Sequence, residues 1–399
     1  MQRYFIVALV FFILAGVFGS ILRLAFIWEL PFSEYRHFMQ AHSHTAMLGW
    51  IYLALTTSLH TVFVKSTADS KLYGRLAWLA TLAVVGMSVS FVIWGYGPVS
   101  ILFTSIHLFI SYVFCWRFWH DLRGESGFAT RLARTAVLFM LFSTLGVWLL
   151  GPVMFLMRHS ALYYALVQFF LHFQFNGWFL FGVAALFFRL LENSSISGHP
   201  RYLNYFYWLL CSGTVLTYAL AVAWSTPKWW IYLTNSIGAT LQLLAFVFLI
   251  RSLKNIVPRL KPHIDFRYFI LFRVSLVVIV LKGIIQAVVI LPFMAKIAYT
   301  IRNYVMGFIH LLMLAGISLF LIGYAYHHHF IRLHDRWSPL GMFFVLAGIL
   351  SSEAVLFLQG TMLWIGWGFL PAYYFLIFFC SVLIPLGISL LIVAHYRRT

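Results

Sequence analysis

The sequence predicts an all-α integral membrane protein with about twelve transmembrane helices. Of its 399 residues, 63% are hydrophobic and only 9% are charged, and the mean hydropathy is +0.93. A water-soluble domain could not cover its surface with so few charges. Because backbone polar groups in hydrocarbon must pair within the protein, only helix bundles or closed barrels span a bilayer, and the long apolar runs favour helices.

Twelve apolar runs define the expected helices, and each is close to the ~20 residues that span hydrocarbon. The first run is too long for a signal-peptide core and lacks a clear cleavage site, so we interpret it as a helix. The expected ranges are 4–28, 38–64, 75–96, 99–119, 135–156, 160–190, 203–225, 229–251, 268–294, 302–326, 338–360 and 370–396.

The charge distribution predicts topology and excludes one class of partner. The formal net charge is +18, but the basic residues form short clusters between apolar runs, so no nucleic acid is expected as a partner. These clusters lie mainly in the even-numbered loops. The positive-inside rule therefore predicts that both termini are cytoplasmic and that the second, sixth and tenth helices begin at the outer face.

The three cysteines do not indicate a metal site or disulfides. Cys115, Cys211 and Cys380 lie within or beside apolar runs, and none belongs to a C-x-x-C motif. This spacing argues against a thiolate metal site and excludes covalent attachment of a c-type haem.

Similar histidine-containing segments occur in every fourth predicted helix. In each, a histidine is followed five residues later by a small residue, which would let a neighbouring helix or a flat ring pack closely against the backbone. The segments are AHSHTAMLGW at 41–50, FLHFQFNGW at 170–178 and FIHLLMLAG at 308–316. We interpret 1–399 as one polytopic domain of three four-helix pseudo-repeats, about 1–130, 131–265 and 266–399.

The histidines of these segments are the candidate haem or metal ligands. His42 and His44 are two residues apart, so their side chains should diverge by roughly 200° and allow one helix to serve two sites. His44, His172 and His310 share an orientation in the outer halves of their helices. Strongly polar side chains in mid-membrane are costly and tend to mark function. His107 is a further candidate metal or haem-pocket residue; a buried packing role is the alternative for each histidine.

The stretch His-Ser-His-Thr-Ala-Met-Leu-Gly-Trp at 42–50 resembles the H-x-H-x-x-x-x-G motif of C-family oxidases and nitric oxide reductases. Helix number and topology likewise resemble subunit I of the haem-copper oxidase superfamily. The resemblance implies a respiratory or nitric oxide-metabolising oxidoreductase of the bacterial inner (plasma) membrane that acts on O2 or NO. It also implies one or two b-type haems, copper or non-haem iron as a second metal, and quinol or a cytochrome subunit as the electron donor.

The sequence departs from that superfamily in two respects. Its H-x-H lies on the second helix instead of the tenth, and no histidine occurs between Leu203 and Ala223, where oxidases place copper ligands. A second resemblance, to the NnrS haem-copper membrane proteins, fits the length and the H-x-H position, although Thr45 replaces their usual glutamate. It implies a non-enzymatic protein of nitric oxide response or protection. A transporter built from repeats is a third alternative.

Arginines near the outer face are expected to contact haem propionates. Arg36 and Arg302 each precede a candidate ligand by eight residues, which is ~12 Å along a helix, and Arg158 lies in another outer loop. Bidentate pairing between arginine and carboxylate would suit propionates. Ordinary anchoring at the membrane interface is the alternative.

Other polar residues are expected within or beside the membrane. Lys282 and Glu353 lie deep in their helices, and we expect them to pair with each other; a proton relay or metal ligation by Glu353 is the alternative. The histidines at 327–329, with His334, could bind a metal at the cytoplasmic end of the tenth helix.

Overall fold

The structure, a computed structural model, describes residues 2–30, 34–64, 70–157, 159–254, 256, 266–332 and 336–397. These residues form helices and no strands. Twelve of the helices in the described residues are long and apolar enough to cross a bilayer, which confirms the predicted all-helical fold and number of candidate membrane spans. They are α1 Gln2–Leu24, α2 Tyr35–Phe63, α3 Ser70–Trp94, α4 Pro98–Asp121, α5 Phe128–Leu156, α6 Ala161–Asn193, α7 Pro200–Ala223, α8 Trp229–Leu253, α9 Phe269–Val288, α10 Arg302–His327, α11 Trp337–Trp364 and α12 Tyr373–Tyr396.

Helix ends differ from the predictions where proline intervenes. The ninth run was expected to continue to residue 294, but α9 ends at Val288 and a separate short helix covers Pro292–Thr300. Proline lacks a backbone N–H and suits the first position of a new helix. Hydropathy marks the apolar stretch, whereas backbone hydrogen bonding decides where each helix ends.

The chain divides into two compact units. The first comprises Met1–Asp121 with Leu321–Thr399, and the second comprises Leu122–Phe320. In the first unit, α1 packs against α2 and α12, α2 against α3, and α3 against α4. In the second, α5 packs against α6, α7 against α8, and α9 against both α8 and α10.

The small residues that follow two of the histidines allow close helix packing. A Cβ atom on Gly49 would lie 2.8 Å from Cγ of Phe11 in α1 and 2.9 Å from Cγ1 of Val84 in α3. A Cβ atom on Gly177 of α6 would lie 2.6 Å from Cβ of Phe139 in α5. In both places the space beside the glycine is occupied by a neighbouring helix.

Adding a methyl group at Gly49 should weaken the packing of α1, α2 and α3. We expect Gly49→Ala to cost about 1–3 kcal/mol, because the added carbon overpacks a filled contact. The thermal unfolding midpoint of the purified protein in one detergent measures the effect. Gly74→Ala is the matched control, since its Cβ would have only Tyr4 within 4 Å. Equal loss of stability in both variants would contradict the packing argument.

Candidate functional site

Each of the histidines His44, His172 and His310 is the last residue before a π-helical segment. The three segments are Thr45–Ile51, Phe173–Phe179 and Leu311–Ser318. At their ends a backbone N–H bonds to the carbonyl five residues back, as from Tyr52 to Met47 and from Leu319 to Leu314. π-Helical turns are rare and often occur at functional sites. Here each of them directly follows a candidate histidine in α2, α6 or α10.

His42 faces α1. Its Nδ1 lies 2.8 Å from the carbonyl oxygen of Ala15, and because a carbonyl can only accept, Nδ1 carries the hydrogen. The neutral ring then has its lone pair on Nε2. Gly19 allows the ring to lie against α1, since a Cβ there would be 3.0 Å from Cε1 of His42.

His44 faces α3, on another side of α2. Its Nδ1 donates to the carbonyl oxygen of Gln40 at 2.9 Å, and its Nε2 lies 3.3 Å from the hydroxyl of Tyr96. The ring centroid is 4.3 Å from that of Phe91. The side chains of His42 and His44 therefore diverge, and both present Nε2 as the nitrogen with a lone pair.

Gly95 places Tyr96 beside His44. Its φ of +58° lies in the left-handed region, which glycine adopts without the steric cost of a side chain. A Cβ at this position would also lie 2.5 Å from Cδ2 of His37. The loop between α3 and α4 can thus fold down onto α2.

His107 of α4 is buried next to α2, with 2% of its surface exposed. Its ring centroid is 4.6 Å from that of Tyr52, and Nδ1 lies 3.4 Å from the hydroxyl of Ser111. Its Nε2 is buried, and the Leu48 backbone and, more weakly, His44 interact with the ring. His107 therefore remains a candidate metal or haem-pocket residue.

His172 has a different environment. Its Nε2 donates to the carbonyl oxygen of Thr214 in α7 at 2.8 Å, and its Nδ1 faces the side-chain nitrogen of Asn176 at 3.5 Å. Both ring nitrogens thus have protein partners in the second unit. This arrangement ties α6 to α7 and does not fit an iron ligand at Nε2.

The remaining predicted site residues lie at helix starts or beside the third π-helical segment. His310 is half-buried in the second unit, immediately before Leu311. Arg36 and Arg302 are exposed in the first turns of α2 and α10. Arg158 lies outside the described residues.

Replacing His172 should cost stability, because Thr214 loses the donor to its buried carbonyl. We expect His172→Phe to cost about 0.5–1.5 kcal/mol, the usual range for a side-chain hydrogen bond between membrane helices. His172→Gln retains an N–H donor and should recover part of the loss. Thermal unfolding midpoints in detergent test this, and a His172→Phe variant as stable as the native protein would refute it.

Lys282 and Glu353 belong to different units, so their expected pairing stays a prediction. Lys282 is fully buried, and its Nζ donates to Oε1 of Gln242 in the neighbouring α8 at 3.0 Å. Both carboxyl oxygens of Glu353 are buried without a hydrogen-bond partner. Sequence spacing did not reveal Gln242 as the hydrogen-bond partner of Lys282.

A metal site formed by the histidines at the end of α10 stays a prediction, because His334 lies outside the described residues. Across all described residues, no group of three or more His, Cys, Asp or Glu side chains could hold a metal ion. The ring of His328 packs 4.4 Å from that of Tyr324. Burial, with smaller effects of His327 and His329, lowers the pKa of His328 to about 4.

Acidification should destabilise the protein through His328. The unfolded chain, with an ordinary histidine pKa near 6.5, binds more protons than the folded chain. Stability is therefore lost as the pH falls below about 6.5 towards 4. His328→Phe should flatten the decrease in unfolding midpoint between pH 7 and 5, whereas exposed His199→Gln should not. An unchanged pH profile in the His328 variant would argue against this assignment.

Sequence reasoning missed the partners of the histidines. Tyr96, Thr214 and Asn176 were not among the predicted site residues, although the first follows a glycine in a loop next to the predicted site. The carbonyl groups of Ala15 and Thr214 accept hydrogen bonds whatever their side chains are, so no residue-type signal could have revealed them.

The chain matches no protein-family model, and a comparison with curated proteins finds no match. The functional assignment therefore depends on the geometry of the histidines and on the sequence motif around them.

Proposed function

We propose that this protein binds haem in the membrane, with His42 and His44 as ligands of two different iron or metal centres. The observation that carries the proposal is that both imidazoles donate from Nδ1 to a backbone carbonyl while facing different helices. Metal-binding histidines usually donate their other N–H in this way, which fixes the ring and its tautomer. One or two b-type haems, or one haem with copper or non-haem iron, would use these ligands.

His310 is the further ligand that we propose. It shares with His44 the position directly before a π-helical segment. His172 shares that position too, but its Nε2 is engaged by Thr214. We therefore assign His172 to helix packing and retain Arg36 and Arg302 as candidate partners of haem propionates.

We also propose an internal repeat, a topology and a location for the protein. We infer three four-helix pseudo-repeats, because the histidine and the π-helical turn recur in α2, α6 and α10. The basic residues in the even-numbered loops support cytoplasmic termini. The bacterial inner (plasma) membrane is the location that the resemblance implies.

Respiratory electron transfer or nitric oxide metabolism is the activity that we propose, with quinol or a cytochrome as the electron donor. Haem would supply an iron centre for electron transfer or for a diatomic gas. The carbonyl groups of Ala15 and Gln40 would orient the ligand nitrogens. The lack of histidine in α7 favours the second candidate, a non-enzymatic NnrS-type protein, because oxidase-like copper ligands are missing there.

Single substitutions of the ligands should remove haem selectively. We expect His42→Ala, His44→Ala and His310→Ala to lower the haem-to-protein ratio or change the reduced-minus-oxidised spectrum, because each loses a coordinating nitrogen. His172→Ala should retain the native spectrum despite lower stability. His60→Ala is a matched control for a buried histidine elsewhere in α2.

The outcomes separate the alternatives. A folded native protein that contains no haem after expression with haem supplied would refute the proposal. Native spectra in all three ligand variants would refute the ligand assignment. Haem with turnover of O2 or NO would support the enzyme, whereas haem without turnover would support the NnrS-type alternative.

A further inference from the structure

A fully buried lysine begins a chain of hydrogen bonds that crosses α9, α8 and α7 of the second unit. Lys282 of α9 is 0% exposed, and its Nζ donates to Oε1 of Gln242 in α8 at 3.0 Å. Gln242 is also fully buried, and its Nε2 donates to Oγ1 of Thr217 in α7 at 3.1 Å. One amide therefore connects the lysine to α7.

The hydroxyl of Thr217 fixes the direction of this chain. It donates to the carbonyl oxygen of Gly213 at 2.8 Å, and a carbonyl can only accept. Thr217 therefore accepts from the amide nitrogen of Gln242, which leaves the amide oxygen of Gln242 for Lys282. A lysine ammonium has three N–H donors, and Gln242 accepts one of them. The described residues of the second unit provide no hydrogen-bond acceptor for the other two.

The positive charge of Lys282 lacks a counter-ion within the second unit. Among the described residues of that unit, Glu125 and Glu192 pair with Arg189, and no carboxylate pairs with Lys282. An isolated buried charge is costly, and the cost is offset only by a partner of opposite charge together with hydrogen bonds. An anion beside Nζ of Lys282 would meet both needs.

Thr214 supplies a further hydrogen-bond donor one turn before Thr217 on α7. It is fully buried, and its hydroxyl has no partner among the described residues. The hydroxyls of Thr217 and Ser236 instead donate to carbonyls of their own helices. Residues three apart lie on the same side of a helix, so Thr214 lies on the side of α7 that Gln242 contacts. An acceptor is therefore missing next to this hydroxyl.

Gln286 lies one turn beyond Lys282, on the same side of α9. Its side chain is 5% exposed, and its amide oxygen is buried without a partner in the part of the chain that the structure describes. The other end of the amide carries two N–H donors. With an anion beside Lys282, the reversed orientation of the amide would direct these donors to an acceptor.

The helix break at Thr217 lies against α8. α7 consists of Pro200–Leu216 and Tyr218–Ala223, with Thr217 between them. A Cβ atom on Gly238 of α8 would lie 2.8 Å from the backbone nitrogen of Thr217, so this glycine allows the contact. Interrupted helices within a membrane occur where protein encloses the backbone, and they often form ion sites. The break thus places irregular backbone next to the buried polar groups.

We propose that Lys282, Thr214 and Gln286 bind a small inorganic anion such as chloride within the second unit. The ammonium supplies the charge, and the hydroxyl and the amide supply directed donors; hydrogen bonds from a charged donor are the strong ones. Buried charged groups in membrane proteins typically mark ion sites. Because Lys282 and Thr214 are fully buried, the site suits an ion of one or a few atoms and not a larger metabolite. Gln242 positions the ammonium.

This site is independent of haem. None of the hydrogen bonds that define it involves a proposed haem ligand, and anion binding requires no haem. A protein without haem would leave the anion site untouched, and a protein without anion binding would leave the haem proposal untouched.

Chloride binding to the purified full-length protein in detergent tests the site. We expect the native protein to bind radiolabelled chloride saturably, with displacement by unlabelled chloride or nitrate and not by the larger gluconate. Lys282→Met keeps the length of the side chain, removes its charge and should weaken chloride binding at least about tenfold. Thr214→Val removes one donor at nearly constant volume and should weaken binding roughly two- to tenfold.

Gln242→Glu separates anion binding from packing. Its carboxylate would lie within hydrogen-bond distance of Nζ and pair with Lys282, so chloride binding should be lost while the thermal unfolding midpoint stays near the native value. This variant also tests the site if Lys282→Met does not fold. Lys296→Met is the matched control, because Lys296 is an exposed lysine of the same unit, and its chloride binding should equal that of the native protein.

Several results would overturn the proposal. Absence of saturable chloride binding to a folded native protein is the first. Native affinity in a folded Lys282→Met or Gln242→Glu protein is the second. Chloride binding that appears only in Glu353→Gln would assign Lys282 to a pair with Glu353 and would likewise overturn the anion site.

Discussion

The structure depends on the need of every polar group in hydrocarbon to find a partner within the protein. Helices meet this need for the backbone, and the π-helical segments meet it as well, because their hydrogen bonds are moved by one residue and not lost. Side chains face the same requirement. Several serine and threonine hydroxyls of α2, such as those of Ser58 and Thr56, donate back to carbonyls of their own helix. Imidazoles have two nitrogens to satisfy, so they depend on neighbouring elements.

This requirement separates histidines that look equivalent along the chain. His172 finds a carbonyl on α7 and an amide on its own helix, and both of its nitrogens are used. His42 and His44 instead donate from Nδ1 to a carbonyl, and Nε2 of His44 lies 3.3 Å from the Tyr96 hydroxyl. Their neighbours therefore decide which nitrogen carries the lone pair, and this choice is the basis for assigning packing to one histidine and ligation to the others.

Hydropathy predicted the class of fold and the number of helices, because composition alone distinguishes lipid-facing helices from loops. It did not predict the break before Pro292, since the flanking residues on both sides are apolar. The divergence of His42 and His44 followed from helical periodicity. The carbonyl of Ala15 and the π-helical turn at Thr45 could not be predicted, because they depend on packing between helices. Gln242 as the partner of Lys282 could not be predicted for the same reason.

The π-helical turns have a consequence for how these helices tolerate changes in length. A π-helical turn accommodates one more residue than the α-helical turn it replaces, so deletion of a single residue at 45–51 could restore regular α-helix. Because the shorter α-helical turn and the longer π-helical turn each complete one rotation, the following part of α2 would keep its facing relative to His44, and Tyr52 would stay on the side that faces His107. If the segment became regular α-helix without a deletion, the following part would instead rotate by about 100°. The π-helical turn therefore absorbs one residue of chain length without changing the facing of the two halves of α2.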